Sequence, residues 1–356
     1  MREGLTVGLK IELQAYGARA SGGLGARAGG AGPADGITLC SDRVVASVPT
    51  EGLYVADSPY RVEPSAGGLA RLFQDERHLC DVGVTGEPGF YRNLTPGGVS
   101  YRKIALRHGR DGIGSTVVQT CSYGAESCVF CAIAASRESG ATTSRKSPGE
   151  LALAAAAAEA EGYSHAVLTT GTSSPLDAGI PHLAACAEAV KSASGMKVHV
   201  QFEPPVDLEL IDRVARVSDS AAINIESFDE GVRSRATPGK AATATGRYVE
   251  AWRRAVSVYG TGQVTSFVIV GLGETSRSIL EGAELLASLG VYPFILPLRP
   301  LRGTRAEGLR PPGPACISGI YETAAEAVRA AGLRASDCLA GCVRCGACSA
   351  FPDITG

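Results

Sequence analysis

The chain has 356 residues, of which 45% are hydrophobic and 20% are charged. This length allows one large catalytic domain with a smaller appendage, and the composition excludes general disorder. The formal net charge is −2 and no long run of Lys and Arg occurs, so we expect no nucleic-acid partner. No apolar segment has the length of a membrane span or the pattern of a signal peptide. We therefore predict a cytoplasmic protein without a membrane partner.

Cysteine usage is the first positive signal. The chain contains 11 Cys, an odd number, and most of them fall into two tight groups, at 121–131 and 338–348. The cytoplasm keeps thiols reduced, so such groups indicate metal ligands and not disulfides.

The first part of the chain, residues 1–110, contains short β-like runs at 5–13, 37–39 and 43–48. Turns rich in Gly and Pro separate these runs. We predict a small β-rich N-terminal subdomain.

From about residue 113 the pattern alternates between strand and helix. The predicted strands are 115–120, 166–170, 197–203, 221–227, 264–272 and 293–298, and a capping box of Ser147 and Glu150 begins the first intervening helix. Further helices are predicted at 178–193, 208–217, 248–259 and 276–289, with a last one at 317–331. Parallel strands need such crossovers. The pattern predicts an α/β partial (β/α)6 barrel over 111–312, followed by a C-terminal helix and Cys-rich extension over 313–356.

The first cysteine group comes directly after the first barrel strand. It consists of Cys121, Cys128 and Cys131. Three thiolates bind three irons of a [4Fe–4S] cluster and leave the fourth iron able to chelate an amino and a carboxylate group. Zinc and three unconnected Cys are the alternatives, but zinc needs a fourth protein ligand and none lies nearby in the sequence.

This group resembles the CxxxCxxC signature of the radical S-adenosylmethionine (radical SAM) superfamily, and Phe130 matches the aromatic residue before the last Cys. The first spacing here is six residues instead of three. The resemblance implies that the cluster binds S-adenosylmethionine and cleaves it reductively. A 5′-deoxyadenosyl radical then abstracts hydrogen from an unidentified small-molecule substrate. It also implies an electron donor such as flavodoxin or ferredoxin.

Later segments resemble biotin synthase, and that resemblance implies S-adenosylmethionine contacts. Asn224 and Glu226 correspond to the ribose-binding residues, and Ile269 and Gly271 to the adenine-binding strand end. Arg247 corresponds to the residue that binds the methionine carboxylate, with Arg235 and Lys240 as alternatives.

Gly171 and Thr172 match in position the segment that holds the methionine amine, although its Glu is absent. A further candidate is the third strand, where His199, Gln201 and Glu203 alternate with apolar residues. This alternation predicts an interior polar face, either a substrate wall or a satisfied polar core.

The second cysteine group lies near the C-terminus and consists of Cys338, Cys342, Cys345 and Cys348. Four Cys within eleven residues resemble the compact runs that hold [4Fe–4S] clusters, and a structural zinc is the alternative. We predict a second [4Fe–4S] cluster, with Cys338 as the least certain ligand and both cysteine groups at the open end of the barrel.

The whole chain, with its Lys103-Ile-Ala-Leu segment and C-terminal Cys run, resembles an uncharacterised radical SAM family encoded in nitrilase gene clusters. The sequence therefore predicts a radical SAM enzyme. Sulfur insertion with the second cluster as donor is one alternative, and a non-catalytic two-cluster electron carrier is another. The predicted nucleoside pocket favours an enzyme, because a carrier has no use for one.

Overall fold

The computed structural model describes residues 4–22, 24 and 36–356. Within its N-terminal part, helix α1 (Val7–Tyr16) accompanies a six-stranded sheet of order β1-β4-β5-β6-β2-β3. The strands are β1 (Arg19–Ala20), β2 (Ile37–Cys40), β3 (Val45–Val48), β4 (Tyr60–Pro64), β5 (Leu69–Gln74) and β6 (Arg77–Val84). All pairs are antiparallel except β1 with β4. A β-rich sheet therefore precedes the barrel.

Helix α1 corrects one prediction, because residues 5–13 read as β-like in the sequence. The Thr6 hydroxyl caps the helix by accepting the Leu9 N–H at 3.2 Å. Lys10, Leu13 and Gln14 are buried at helical spacing. Ile11 and Ala15 are buried as well, and the apolar residues Ile11, Leu13 and Ala15 alternate with polar residues at the period of two that is typical of a strand.

The second sheet has seven strands in the order β13-β12-β11-β10-β9-β8-β7. They are β7 (Leu106–His108), β8 (Gly112–Thr116), β9 (His165–Thr169), β10 (Lys197–Phe202), β11 (Ser220–Ile223), β12 (Val264–Val270) and β13 (Val291–Pro297). Strands β8 to β13 are parallel neighbours. Short β7 pairs antiparallel with β8 at the edge. The predicted α/β partial (β/α)6 barrel is confirmed, and β7 is an addition that the sequence did not predict.

The remaining helices alternate with these strands or follow the last of them. They are α2 (Ile133–Glu138), α3 (Pro148–Glu159), α4 (Ile180–Ala193), α5 (Glu209–Ala215), α6 (Glu230–Ala236), α7 (Pro238–Ala241), α8 (Thr245–Tyr259), α9 (Ser276–Ser288), α10 (Pro314–Ala330), α11 (Cys342–Cys345) and α12 (Phe351–Thr355). The predicted capping box begins α3, where the Ser147 hydroxyl accepts the Glu150 N–H and the Glu150 carboxylate accepts the Ser147 N–H. Trp252 of α8 is fully buried and donates its indole N–H to the Ile223 carbonyl at 2.9 Å, which fixes the helix on the sheet.

The C-terminal extension crosses the end of the barrel where the parallel strands begin. The Ser220 hydroxyl, at the start of β11, donates to the Ala340 carbonyl at 3.3 Å. Arg344 contacts Asp111 and His165 at the starts of β8 and β9, at 3.1 and 2.6 Å. The Cys121 loop instead follows the C-terminal end of β8. The two cysteine groups thus lie at opposite ends of the strands, and the prediction that both lie at one end is wrong.

The N-terminal part holds this extension from the other side. Lys10 donates to the Gly346 carbonyl at 2.8 Å and to Asp353 at 2.6 Å, and Gln14 donates to the Ala347 carbonyl at 2.9 Å. The second cysteine group is therefore enclosed between the barrel and helix α1. None of the helices in the described residues combines the length and apolar character that a membrane crossing requires.

Candidate active site

A cavity of about 260 Å³ occupies the barrel interior. Residues from both cysteine groups and from the carboxyl-terminal halves of several strands form its wall. Among them are Cys121, Tyr123, Cys128, Phe130, Cys131, Gly171, Thr172, Gln201, Glu203, Asn224, Glu226, Lys240, Ile269, Cys342, Cys348 and His108. Most of the predicted site residues, which are far apart in sequence, thus line one cavity.

The Cys121 loop presents three thiols to this cavity. Burial raises the pKa of the Cys121 thiol and outweighs the backbone N–H groups of Tyr123 and Thr172 and the charge of Lys240, which lower it. Burial also raises the pKa of Cys131, opposed by the backbone N–H of Ile133. N–H donors and a nearby cation stabilise thiolates, the form that binds iron. The donor set therefore fits an iron–sulfur cluster.

The extra residues of the first Cys spacing anchor the loop. Tyr123 donates its hydroxyl to Glu203 at 2.6 Å, and its ring packs on Gly239, where an added Cβ would lie 2.3 Å from the ring. The Val129 N–H donates to the Ala236 carbonyl at 2.8 Å. The longer loop thus packs against helices α6 and α7.

Gly171 and Thr172, at the end of β9, support the loop from beneath. A Cβ on Gly171 would lie 2.0 Å from the Thr120 carbonyl oxygen, so only Gly permits this approach. The Thr172 carbonyl accepts the Ser122 N–H at 2.8 Å, and its hydroxyl donates to Glu203 at 2.7 Å. The segment thereby positions the backbone around Cys121.

Glu226 stands out in conformation and bonding. Its φ is +70°, in the left-handed region that residues other than Gly rarely adopt. One carboxylate oxygen accepts from Lys240 at 2.8 Å, while the other, Oε2, is buried and has no hydrogen-bond partner among the described residues. A strained residue therefore offers an unsatisfied acceptor within the cavity.

Lys240 is the cation of this region. Burial lowers its pKa, but the charges of Glu226 and Glu203 raise it, and the net direction is upward. It also donates to the Asn224 carbonyl at 3.0 Å. The Asn224 side-chain oxygen accepts the Phe267 N–H at 3.1 Å, so part of Asn224 is used to join neighbouring strands.

Three other predicted contacts lie outside the cavity wall. The Arg247 guanidinium donates to the Pro205 and Val206 carbonyls, each at 2.6 Å, and pairs with Glu250. Gly271 donates its N–H to Glu274 at 2.7 Å within a tight turn. Arg235 is exposed. Of the three cations considered for the methionine carboxylate, Lys240 is the one that faces the cavity.

Strand β10 connects the two ends of the barrel. Its fully buried His199 bonds Ser220 at 2.8 Å and lies against Gly341 of the C-terminal extension. Gln201 and Glu203 are cavity residues, and Gln201 donates to the Cys342 sulfur at 3.7 Å. The face is therefore mixed, with two residues of the cavity wall and one polar core residue, His199, whose Nε2 is buried without a hydrogen-bond partner among the described residues.

In the second cysteine group, Cys338 lies apart from the other three Cys. Cys342 and Cys348 line the cavity, and the Cys345 thiol lies against Gly109, where an added Cβ would be 2.3 Å from the sulfur. Cys338 lies apart, because its thiol donates to the Gly262 carbonyl at 3.0 Å.

Two cavity residues were missed by sequence reasoning. Tyr123 lies between two candidate ligands, a position that could have drawn attention to it, whereas His108 lies on the unpredicted strand β7 and carried no signal. The His108 Nε2 atom is 3.7 Å from the Cys342 sulfur.

Among the described residues, no three Cys, His, Asp or Glu side chains converge closely enough to hold a single metal ion. A cubane sets a different requirement, since each thiolate binds its own iron and the ligands need only surround a common volume.

Comparison with known proteins finds a curated relative over part of the chain. Over 120 residues the chain is 33% identical to bacteriochlorophyllide c C-7(1)-hydroxylase of Chlorobaculum limnaeum, covering 33% of this chain and 30% of that relative. The match thus spans less than a third of the relative's length.

Solved structures with a similar fold include a radical SAM methyltransferase from Sphaerobacter thermophilus (TM-score 0.48, 18% identity, 78% of this chain and 76% of the other). Another is methylornithine synthase (TM-score 0.46, 15% identity, 62% and 69%). Residues 115–286 match the family model of the Radical SAM superfamily. This span contains all three thiols of the first group together with Glu226 and Lys240, and residues 115–286 form a radical SAM domain.

Proposed function

We propose that Cys121, Cys128 and Cys131 hold a [4Fe–4S] cluster and that the barrel cavity holds S-adenosylmethionine and a small-molecule substrate. When bound and reduced, such a cluster supplies the electron that splits S-adenosylmethionine to methionine and a 5′-deoxyadenosyl radical, which takes hydrogen from the substrate. The radical SAM domain supports the reaction class. The observation that carries the assignment of this cavity is the unpartnered, buried Oε2 of Glu226 in the same volume as the three thiols.

The nucleoside part of S-adenosylmethionine would lie against β11 and β12. Glu226 Oε2 needs a hydrogen-bond donor, and a ribose hydroxyl supplies one. Ile269 is an apolar cavity residue nearby on β12 that can cover the adenine ring. Asn224 contributes less to ribose binding than the resemblance implies, because its side-chain oxygen already accepts the Phe267 N–H.

The methionine part would lie between Lys240 and Glu203. Lys240 is a buried cation on the cavity wall and pairs with a carboxylate better than the outward-held Arg247. Glu203 lies beside Thr172 and supplies, from the next strand, the carboxylate that the Gly171–Thr172 segment lacks. An ammonium group at this point would gain a negative neighbour.

The substrate would occupy the part of the cavity near Gln201. The C-terminal extension closes the barrel at its N-terminal end through Ala340 and Gly341. This closure keeps water from a reactive radical. A reduced flavodoxin or ferredoxin remains the class of electron donor that fits the proposal.

Sulfur insertion is a second candidate, supported by one observation. Cys342 and Cys348 line the same cavity as the first group, so a cluster held there would be within reach of a substrate radical. A non-catalytic electron carrier is less well supported, since it has no need for the acceptor on Glu226.

The direct test is anaerobic reconstitution followed by incubation with S-adenosylmethionine and dithionite. We expect 5′-deoxyadenosine and methionine to form in equal amounts, measured by liquid chromatography and mass spectrometry. Protein that holds its iron yet forms no 5′-deoxyadenosine would contradict the proposal. Sulfide lost from the protein during turnover with a substrate would favour sulfur insertion over simple hydrogen abstraction.

A further inference from the structure

We propose that Cys342, Cys345 and Cys348, without Cys338, bind a [4Fe–4S] cluster at the N-terminal end of the barrel, and that its fourth iron takes an amine, carboxylate or thiolate group of the substrate. The proposal rests on the proposed function only in placing the substrate in this cavity. The ligand set rests on the geometry of the C-terminal loop alone.

Cys338 is excluded by its own hydrogen bond. Cys338 is 4% exposed, and its thiol donates to the Gly262 carbonyl at 3.0 Å. A thiolate ligand has no S–H proton to donate. Binding iron would therefore leave the buried Gly262 carbonyl without this donor and require the sulfur to turn away from its pocket.

The other three thiols gather on one side of the loop. Helix α11 is a single turn, so Cys342 and Cys345, three residues apart, lie on the same side. Gly346 then adopts φ +64° and reverses the chain, which brings Cys348 back to the cavity where Cys342 also lies. The Cys345 sulfur fits against Gly109 of the turn after β7, a contact that no side chain at 109 would allow.

The surroundings suit a buried anionic cluster. The Cys342 sulfur accepts from Gln201 Nε2 at 3.7 Å and lies 3.7 Å from His108 Nε2. The fully buried Lys10 ammonium donates to the Gly346 carbonyl, next to Cys345, at 2.8 Å and is paired with Asp353 at 2.6 Å. Hydrogen bonds to ligating sulfurs and nearby positive charge are the means by which proteins stabilise such clusters.

Three protein thiolates leave one iron of a cubane without a cysteine ligand. Two of the three thiols face the cavity, which lies between this loop and the first cysteine group. A Lewis base on the substrate is the natural fourth ligand. The site would then hold the substrate at the end of the cavity opposite the first cysteine group.

The ligand set is tested in a background that lacks the first site, the full chain with Cys121, Cys128 and Cys131 all changed to Ala. We expect about four irons per anaerobically reconstituted chain. Adding Cys338→Ala should leave iron and the reduced-cluster electron paramagnetic resonance signal unchanged, whereas adding Cys348→Ser should lose most of both. Equal loss in the two variants, or one zinc per chain in place of iron, would overturn the proposal. Thermal melting of each variant separates lost ligation from failed folding, and if Cys348→Ser does not fold, Cys342→Ser replaces it.

The fourth iron is tested with ¹³C-cyanide as the probe in the same background. We expect a ¹³C hyperfine coupling in the reduced protein, with and without His108→Ala. Coupling that appears only after His108→Ala, together with loss of a strongly coupled nitrogen, would show that His108 is the fourth ligand and overturn the open iron. Neither measurement needs S-adenosylmethionine cleavage, so failure here is distinct from failure of the proposed function.

Discussion

The two cysteine groups resemble each other in sequence and differ in how the fold presents them. The Cys121 loop extends from the C-terminal end of β8 and is held by backbone N–H groups of its own turn and of Thr172. The C-terminal group is a tight turn enclosed between the barrel base and helix α1, with a buried Lys10 behind it. Compact spacing defines which thiols can share a cluster, whereas topology decides which end of the cavity that cluster occupies.

The residues around each cysteine group suit the two ends of the cavity to different ligands. Around the first group stand a carboxylate with an unpaired oxygen and a buried cation, Glu226 and Lys240. Around the second stand the Gln201 amide, which donates to Cys342, the His108 ring 3.7 Å from the same sulfur, and the Lys10 ammonium, which is paired with Asp353. The first environment suits a zwitterionic ligand with hydroxyls, and the second suits a cluster and its bound substrate. Experiments that disable one end and measure the chemistry of the other test whether the two ends work separately.

The largest effect is expected from Cys128→Ala. Its thiol is half-buried near Cys131 and Lys240, and Ala supplies neither charge nor anchoring for iron. We expect 5′-deoxyadenosine production to be abolished. Cys316→Ala, which removes an exposed thiol, is the matched control and should retain full activity. Full production by Cys128→Ala would show that the first site is assigned wrongly.

Changing Cys342, Cys345 and Cys348 together to Ala should disable the other end. We expect iron to fall from about eight to about four per chain, as two cubanes require. Cleavage of S-adenosylmethionine should persist in part, because the first loop is anchored by α6, α7 and Thr172 and not by this turn, while product formation stops. Iron analysis and 5′-deoxyadenosine assays on the same preparation check both outcomes. Loss of all cleavage in a variant that keeps four irons would mean that the two ends are not separable.

Glu226→Ala should weaken S-adenosylmethionine binding by about 1.5–3 kcal/mol, the usual range for a lost hydrogen bond to a charged group. This corresponds to roughly 10- to 150-fold in Kd. Isothermal titration with the reconstituted protein measures it, with Glu230→Ala, on the exposed start of α6, as control. Affinity equal to that of the unmodified protein would return Glu226 to a structural role as the partner of Lys240.

Gly239→Ala tests how the first loop is docked. The added methyl would meet the Tyr123 ring at 2.3 Å, so ring and loop must shift, at a cost of about 1–3 kcal/mol in stability. We expect a lower melting temperature and reduced iron at the first site only. Gly246→Ala is the matched control, because a Cβ there meets nothing within 4 Å and helical Ala is neutral or stabilising. Equal melting temperatures for the two variants would contradict the docking role.

The smallest effect is expected from Arg247→Met. Its guanidinium binds backbone carbonyls at Pro205 and Val206 outside the cavity, so S-adenosylmethionine affinity should change less than about threefold, or 0.7 kcal/mol. Lys240→Met should reduce it far more, since it removes the cavity cation. The opposite ranking in a titration would restore the assignment that the resemblance implied.

Local pattern was sufficient for much of this protein. Six βα units, the Ser147–Glu150 capping box and two cysteine groups follow from hydrophobic period, capping chemistry and ligand spacing, each confined to a few consecutive residues. Helix α1 was mispredicted because its buried face carries Lys10 and Gln14, whose partners Gly346, Ala347 and Asp353 are more than 300 residues away.

Long-range packing decided the rest. Only the fold shows that Lys240 and not Arg247 faces the cavity. The fold also shows that the Cys338 thiol donates to the Gly262 carbonyl and that the His108 ring lies close to the Cys342 sulfur. Spacing along the chain carries no information about which end of a barrel a returning segment covers. That choice depends on which strand ends have unsatisfied polar groups and exposed apolar surface for the segment to cover, and these exist only once the sheet has formed.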